Sequence, residues 1–262
     1  MAILTDPEEI QLLKHSGAIL ARTMRMVSEM ITSGMSAQQL DETAEQIIRE
    51  QGAVPSFKGY GSKQPFPATI CISVNDEVVH GIPSASKIFQ QGDVIGIDCG
   101  VNYQGYFTDM AMTVGLGVIS SRAKELLAVT SRALRQGIAS AIMGNHIADI
   151  STAIQSEIDE KKFGIVRELV GHGVGRSVHE EPRIPNFWPW KNNTKDRGAK
   201  IVEGMVLAIE PMITAGSWEI RTGDDGWSIS TKDGSCSAHF EHTVLVTTQG
   251  PCIITSEIWE KC

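Results

Sequence analysis

Residues 171–182 constrain the fold more than any other stretch of the chain. They read Gly-His-Gly-Val-Gly-Arg-Ser-Val-His-Glu-Glu-Pro. Glycines at alternate positions weaken a helix interior or a central strand, so the pattern predicts a loop or strand end whose backbone packs closely against a neighbour. The stretch contains two of the seven histidines, His172 and His179. A glycine-rich turn with incidental histidines is the alternative. A zinc-protease helix is excluded, because Arg183 stands where its second histidine would be.

The composition is that of an ordinary globular protein, and it does not favour nucleic acid or a membrane as a partner. The 262 residues carry a net charge of −8, and 42% of them are hydrophobic. No cluster of basic residues, no apolar run near the ~20 residues of a membrane span and no secretory signal is visible. Five widely spaced cysteines without a CxxC pair favour reduced thiols in the cytoplasm. We expect a single domain over 1–262.

Capping and spacing signals predict two pairs of helices. The first pair begins near Asp6 and, through a capping box, at Ser36, with Gly34 between the two helices. The second pair is expected at about 121–143 and 147–162. Strands are expected between and after the pairs, where apolar residues alternate or run together.

The two helix pairs also resemble each other in sequence. Residues 24–48 match the pattern of residues 134–158 at one constant offset. This echo favours two similar α+β halves, approximately 1–115 and 116–262. Two unrelated amphipathic helix pairs would give the same impression, and that alternative stays open.

Asp98 and Asp109 bracket a predicted β-hairpin. If its turn is centred on Tyr103-Gln104, the two aspartates face each other with Cβ atoms roughly 4.5–5.5 Å apart. Ile97 and its alternate neighbours would then face the other side. Two like charges this close destabilise a sheet unless a cation or a shared proton lies between them. The pattern therefore favours a cation site. The alternative is that both acids face solvent.

Two further acids, Glu210 and Glu241, lie inside apolar runs without Lys or Arg. An ionised glutamate is rarely buried without a partner, so each either faces solvent or binds a cation. With Asp98, Asp109 and His172 they form a candidate set whose four negative charges would balance two divalent cations. Oxygen-rich ligation with one imidazole suits Mn²⁺, Fe²⁺, Co²⁺ or Zn²⁺ without choosing among them. Two such ions can hold a bridging hydroxide and polarise a carbonyl.

Taken together and in order, the motifs resemble those of type I methionine aminopeptidases. They are Val-Val-His80-Gly-Ile-Pro, Ile-Asp98-Cys-Gly, Gly-Tyr-Phe-Thr-Asp109, Gly-His172-Gly-Val-Gly, Val-His179-Glu-Glu-Pro, Ile-Glu210-Pro-Met and Phe-Glu241-His-Thr. The similarity runs from about Pro7 to Thr247. It implies the pita-bread fold, an α+β fold in which two pseudo-symmetric halves place an antiparallel sheet around a dinuclear metal site.

The resemblance assigns a role to each matching residue. The metal ligands would be Asp98, Asp109, His172, Glu210 and Glu241. Glu210 would also carry protons to and from the attacking water. His80 would contact the scissile nitrogen or the leaving amine, and His179 would hydrogen-bond the carbonyl oxygen as it becomes an oxyanion. The substrate methionine would be lined by Phe66, Cys71, Val178, Met212 and Trp227, for which ordinary core packing is the alternative. A monovalent cation is suggested near Asn75 and Ser237.

The implied function is removal of the initiator methionine before a small second residue, through attack of a metal-bridging hydroxide on the first peptide bond. The partners would be the N-terminal methionine of peptides and nascent chains and, transiently, the ribosome. We expect a cytoplasmic monomer. The alternatives are a Pro-directed aminopeptidase or prolidase of the same fold, and a catalytically inactive peptide-binding relative. Pro-directed relatives carry an extra N-terminal domain, which disfavours the first alternative.

The chain departs from the family pattern beside the candidate site. Val178 stands where an aromatic residue is common, Phe66 stands where Tyr is common, and residues 186–193 form a longer segment. Either the methionine pocket is wider, or Trp188 or Trp190 from that segment folds back to fill it. A solvated segment with a harmless valine is the third possibility.

Overall fold

A computed structural model describes residues 1–159, 162–188 and 196–256. Its helices are α1 (Pro7–Met30), α2 (Ala37–Glu50), α3 (Ser121–Ser140) and α4 (Ile147–Ser156). The Asp6 side chain caps α1 by accepting from the Glu8 backbone N–H, and the Ser36 capping box begins α2. The predicted starts are confirmed. The ends of α3 and α4 fall three to six residues earlier than expected at 143 and 162.

The turns inside the two helix pairs are built alike. Gly34 and Gly144 both adopt a positive φ, 90° and 96°, which favours glycine. The backbone N–H of Gly34 donates to Phe89, and that of Gly144 donates to Ile201. The turn in each helix pair is therefore hydrogen-bonded to a later segment in the same half of the sequence. Neither these helices nor any other helix in the described ranges is long and apolar enough to cross a membrane.

The strands form four antiparallel sheets among the described residues. In chain order they are β1 (Val54–Pro55), β2 (Ile70–Val74), β3 (Glu77–Val79), β4 (Val94–Tyr103), β5 (Tyr106–Gly115), β6 (Gly164–Ile165), β7 (Val170–Gly173), β8 (Glu180–Pro185), β9 (Val206–Ile209), β10 (Met212–Thr214), β11 (Ile220–Thr222), β12 (Ile229–Thr231), β13 (Ser237–His239), β14 (His242–Thr247) and β15 (Gly250–Ile253). One sheet contains β1, β2, β4 and β5, and another has the order β15-β14-β9-β7-β8. The smaller sheets have the orders β13-β10-β6 and β11-β12-β3.

The β4–β5 hairpin forms as predicted, but its register differs by two residues. Its two-residue turn is Gln104-Gly105, with φ values of 51° and 88°, because a tight hairpin turn needs this left-handed backbone. Asp98 therefore pairs with Ala111, and Asp109 pairs with Gly100. The predicted direct opposition of the two aspartates is wrong. A register shift of two residues keeps Asp98 and Asp109 on one face of the hairpin. They are diagonal neighbours there, and their side chains are still within reach of each other.

The apolar residues divide into one large core for each helix pair. The first lies between α1, α2 and the β2–β4 pair, and it includes Ile95, Ile97, Cys99 and Val101 on the face of β4 predicted to be apolar. The second lies between α3, α4 and the β9–β14 pair. Among the described cysteines, Cys71, Cys99 and Cys236 are free thiols. Cys252 is disulfide-bonded, so the expectation of reduced thiols is wrong there.

Strand β5 joins the two cores through hydrogen bonds to residues 239–243. The Asp109 backbone N–H donates to Thr243 Oγ1, and that hydroxyl donates to the Asp109 carbonyl, both at 2.8 Å. The Glu241 backbone N–H donates to the Ala111 carbonyl at 2.8 Å. This seam aligns the acid of β5 with the acid that precedes β14.

Candidate metal centre

The five predicted ligands converge at this seam. Asp98 and Asp109 come from the hairpin, His172 from β7, Glu210 from the end of β9 and Glu241 from the residue before β14. All five line one cavity of about 100 Å³. Among the described residues, two triads have ligand atoms within 4.8 Å of one another, and they share a carboxylate. The triads are Asp109, His172 and Glu241, and Glu210, His239 and Glu241.

The alternate glycines let β7 carry His172 into the centre. A Cβ on Gly171 would lie 2.5 Å from the Ala208 carbonyl oxygen, and one on Gly173 would lie 2.2 Å from that of Glu181. Only a residue without a side chain permits such contacts. The expectation of a close-packed strand end is therefore confirmed, because 170–173 is a strand held between β8 and β9.

The His172 ring is held in one tautomer. Its Nδ1 lies 2.8 Å from the Gly173 carbonyl oxygen, which can only accept, so Nδ1 carries the proton. Nε2 keeps its lone pair and lies 3.5 Å from Glu210 Oε1. Burial, together with the nearby His179, lowers the pKa of His172 to about 3. A neutral ring with its lone pair directed at carboxylates is suited to bind a metal ion.

Asp109 and Glu241 are buried and Asp98 and Glu210 are partly buried, and among the described residues no Lys or Arg balances their charge. Burial raises the pKa of Asp98 to about 7, although His239 opposes this shift. Burial also raises the pKa values of Asp109, Glu210 and Glu241 well above the ordinary range, and carboxylate neighbours add to the shift at Asp109 and Glu241. Asp98 Oδ1 and Glu241 Oε1 lack a hydrogen-bond partner among the described residues. Divalent cations would satisfy these atoms and favour the ionised forms, so the donor set fits a metal centre.

An apolar wall adjoins the acids in the same cavity. It is formed by Phe57, Tyr60, Phe66, Cys71 and Trp227. The Phe66 and Trp227 rings pack edge to face at 5.3 Å. The cavity can therefore hold an apolar side chain next to charged groups.

Two histidines complete the cavity. His80 adopts a positive φ of 58°, an uncommon conformation outside glycine, and its ring lies 6.3 Å from that of Trp227. His179 Nδ1 lies 2.8 Å from Tyr60 Oη, and the His179 ring lies 4.4 Å from that of His172. Both histidines line the same cavity as the acids.

Two predicted pocket residues lie elsewhere. Met212 is buried against Val78, Val79 and Val166, and it lines an adjoining cavity of about 580 Å³ that shares four of the site residues. Val178 is buried but is absent from the described residues that line either cavity. Its place in the methionine pocket stays a prediction that no contact supports.

Trp188, which lies in the longer segment at 186–193, does not fill the predicted methionine pocket. That side chain packs in the core beneath α3 and α4, next to Ile147 and Gly198. The idea that Trp188 folds back into the methionine pocket is therefore wrong. Trp190 lies outside the described residues.

The sequence reasoning missed Phe57, Tyr60 and His239. Phe57 and Tyr60 lie in an irregular Pro/Gly-rich loop, where no periodicity indicates which way a side chain points. His239 had a usable signal, because it lies two residues before Glu241 and alternate residues of an extended segment share a face.

Comparisons with known proteins agree with this geometry. The model of metallopeptidase family M24 matches residues 11–248. Methionine aminopeptidase of Clostridium perfringens is 44% identical over 256 residues, covering 97% of this chain and 99% of that protein. Methionine aminopeptidase 1 of Bacillus subtilis is 44% identical over 255 residues, again covering 97% and 99%.

Solved structures confirm the predicted α+β fold. The crystal structure of methionine aminopeptidase from Thermotoga maritima superposes with a TM-score of 0.92 at 39% identity, covering 98% of this chain and 100% of that one. Prolidase from Pyrococcus furiosus superposes with a TM-score of 0.77 at 23% identity, over 97% of this chain and 66% of that one. The second likeness concerns the fold alone.

Proposed function

Because the chain belongs to metallopeptidase family M24, and within it to the methionine aminopeptidases, we propose that it removes the initiator methionine from new proteins. The observation that carries this function is the convergence of four carboxylates, two buried and two partly buried, and one neutral imidazole beside an apolar wall. A Pro-directed activity has weaker support, because the prolidase likeness lies at 23% identity. An inactive relative is disfavoured, since the whole candidate ligand set is assembled.

We propose that two divalent cations are held by Asp98, Asp109, His172, Glu210 and Glu241. Mn²⁺, Fe²⁺, Co²⁺ and Zn²⁺ all suit this mixed oxygen and nitrogen set. When bound, such ions lower the pKa of water and polarise a carbonyl. A monovalent cation near Asn75 and Ser237 is a further proposal. It is supported by the left-handed turn at Asn75, whose carbonyl accepts the Ser237 N–H at 2.9 Å.

The chain's own residues then position the substrate and move protons. Phe66, Cys71 and Trp227 offer the methionine side chain an apolar wall to which a thioether adapts well. When Tyr60 Oη donates to His179 Nδ1, the ring proton is on Nε2, which can donate to the carbonyl oxygen of the substrate. Such a donor contributes roughly 10²–10³ in rate.

Glu210 and His80 serve the leaving group. The Glu210 carboxylate would take a proton from the attacking water and deliver it to the departing amine, and a general acid–base of this kind contributes roughly 10²–10⁴ in rate. His80 would contact the scissile nitrogen. Both residues line the two adjoining cavities.

The remaining proposals concern organisation and setting. We propose one catalytic domain over 1–262, with similar halves at approximately 1–115 and 116–262, supported by the matching turns at Gly34 and Gly144. Because initiator methionines are present where proteins are made, we propose a cytoplasmic location and transient contact with the ribosome. We also propose that the protein acts as a monomer.

The test is cleavage of three peptides by metal-stripped protein refilled with one metal at a time. Met-Ala-Ser should release methionine only after refilling, Met-Lys-Ser should react much more slowly, and Ala-Pro-Phe should remain intact. Release of alanine from Ala-Pro-Phe would instead support the Pro-directed alternative. Inactivity on all three peptides with every metal would support the inactive relative.

A further inference from the structure

His239 is a buried histidine at the centre that the ligand set above does not use. Its side chain is 5% exposed, and its Nε2 lies 3.4 Å from Glu210 Oε2 and 4.0 Å from Glu241 Oε2. Despite these distances, Nε2 has no hydrogen-bond partner among the described residues. A buried polar nitrogen without a partner is rare in folded proteins and needs an explanation.

The separations match those of atoms that share a metal ion. Two donors bound at ~2.1 Å to one ion with a near-tetrahedral angle lie ~3.4 Å apart. The distance from His239 Nε2 to Glu210 Oε2 has this value, and that to Glu241 Oε2 exceeds it by roughly half an ångström. A hydrogen bond to either carboxylate would need a better-directed ring. His239 Nε2 and Glu210 Oε2 are therefore better placed to bind one metal ion together than to form a hydrogen bond with each other.

Glu210 lies between two imidazoles. Its Oε1 is 3.5 Å from His172 Nε2, and its Oε2 is 3.4 Å from His239 Nε2. The two triads also separate the two imidazoles. One triad contains Asp109 and His172, the other contains Glu210 and His239, and Glu241 belongs to both. The arrangement offers one imidazole to each of two ions.

The backbone around His239 is firmly held. Its N–H donates to Thr113 Oγ1 at 2.9 Å, and the same hydroxyl donates to its carbonyl at 2.7 Å. On the other side, His239 pairs with Met212 of β10. A backbone fixed from both sides can hold a ligand in place before the ion arrives.

We propose that His239 is a second imidazole ligand of the metal centre, binding the ion on the Glu210 Oε2 side. This inference rests on the proposed dinuclear centre and adds a sixth protein ligand to it. An added imidazole favours Zn²⁺ and Co²⁺ over Mn²⁺, because nitrogen donors suit the later metals and carboxylates suit Mn²⁺.

Zinc K-edge X-ray absorption of the protein carrying two Zn²⁺ tests the proposal without measuring activity. Two imidazoles over two ions give about one imidazole per zinc, whereas His172 alone gives about one half. In the His239→Gln variant the number of imidazoles per zinc should fall to about one half, since an amide is a poor ligand for zinc. It should also weaken Zn²⁺ binding at one site by at least about tenfold, and Mn²⁺ binding by less.

His242→Gln is the matched control. His242 adjoins Glu241, but its Nδ1 lies 2.9 Å from Thr255 Oγ1, so this variant should keep about one imidazole per zinc. The proposal would be overturned if the wild type had about one half imidazole per zinc, or if His239→Gln left the number of imidazoles per zinc unchanged. Either result would leave the peptidase function intact. A capacity below two zinc ions would overturn the dinuclear centre itself, and this inference with it.

Discussion

One hydroxyl group makes two of the hydrogen bonds that join β5 to residues 239–243, which makes Thr243→Val a sharp test. Thr243 is fully buried, and its Oγ1 accepts from the Asp109 N–H and donates to the Asp109 carbonyl. Valine has nearly the same shape but cannot make either bond. Both backbone groups of Asp109 would then be buried without these partners.

The magnitude follows from these two groups. Each unpaired buried group costs about 1–3 kcal/mol. The added methyl of valine returns about 1 kcal/mol. The net loss of unfolding free energy is therefore about 1–5 kcal/mol, and a loss near 3 kcal/mol lowers Tm by roughly 6–12 °C for a chain of this size.

Thr243→Ser is the matched control, because serine keeps the hydroxyl and loses only a buried methyl, worth about 1 kcal/mol. Thermal unfolding of the metal-free proteins should rank wild type above Thr243→Ser, and Thr243→Ser above Thr243→Val. Co²⁺ titration should show weaker binding in the valine variant only, because Asp109 loses its anchor. If valine were as stable as serine, and bound Co²⁺ equally well, the hydroxyl would not hold the seam.

Four further predictions test the site and its supports. Glu210→Gln should lower kcat by at least ~10² at full metal loading, and activity within tenfold of wild type would remove it from proton transfer. Mn²⁺ or Co²⁺ at 100 Kd should stabilise the stripped protein by about 2.7 kcal/mol, and an unchanged Tm would contradict a preformed site at Asp98 and Asp109. Trp188→Ala should cost about 3–5 kcal/mol of stability while leaving the Met-over-Leu ratio of kcat/KM unchanged, and a changed ratio would return this residue to the pocket. Gly173→Ala should abolish folding or metal binding, since its Cβ would lie 2.2 Å from a carbonyl oxygen, and a stable metal-binding variant would contradict that packing.

Local signals in the sequence predicted the helices well and identified the acids as candidate ligands. The caps at Asp6 and Ser36 mark helix starts by hydrogen bonds within a few residues, which sequence alone can display. The acids were recognisable because an ionised carboxylate in an apolar run needs a partner. Their convergence, however, was implied by resemblance rather than by spacing.

The errors came from features that depend on backbone conformation or distant packing. The predicted hairpin register was wrong by two residues. Gln104 adopts a left-handed backbone conformation, which is uncommon outside glycine and which the sequence therefore does not indicate. Trp188 at the pocket was one of three alternatives, and the side chain instead packs in the core beneath α3 and α4. His239 was overlooked because its proposed role depends on Glu210, which lies 3.4 Å away in space but follows β9 in the chain.

The ligands of the centre are spread along the chain in a way that matters for biosynthesis. Asp98 and Asp109 precede Glu241 by more than 130 residues, so they are synthesised well before it. Because Glu241 belongs to both triads, neither can close until it has left the ribosome. A growing chain of this protein therefore cannot assemble the proposed metal centre before residue 241 has been made. Removal of methionine from a nascent copy would fall to molecules that were completed earlier.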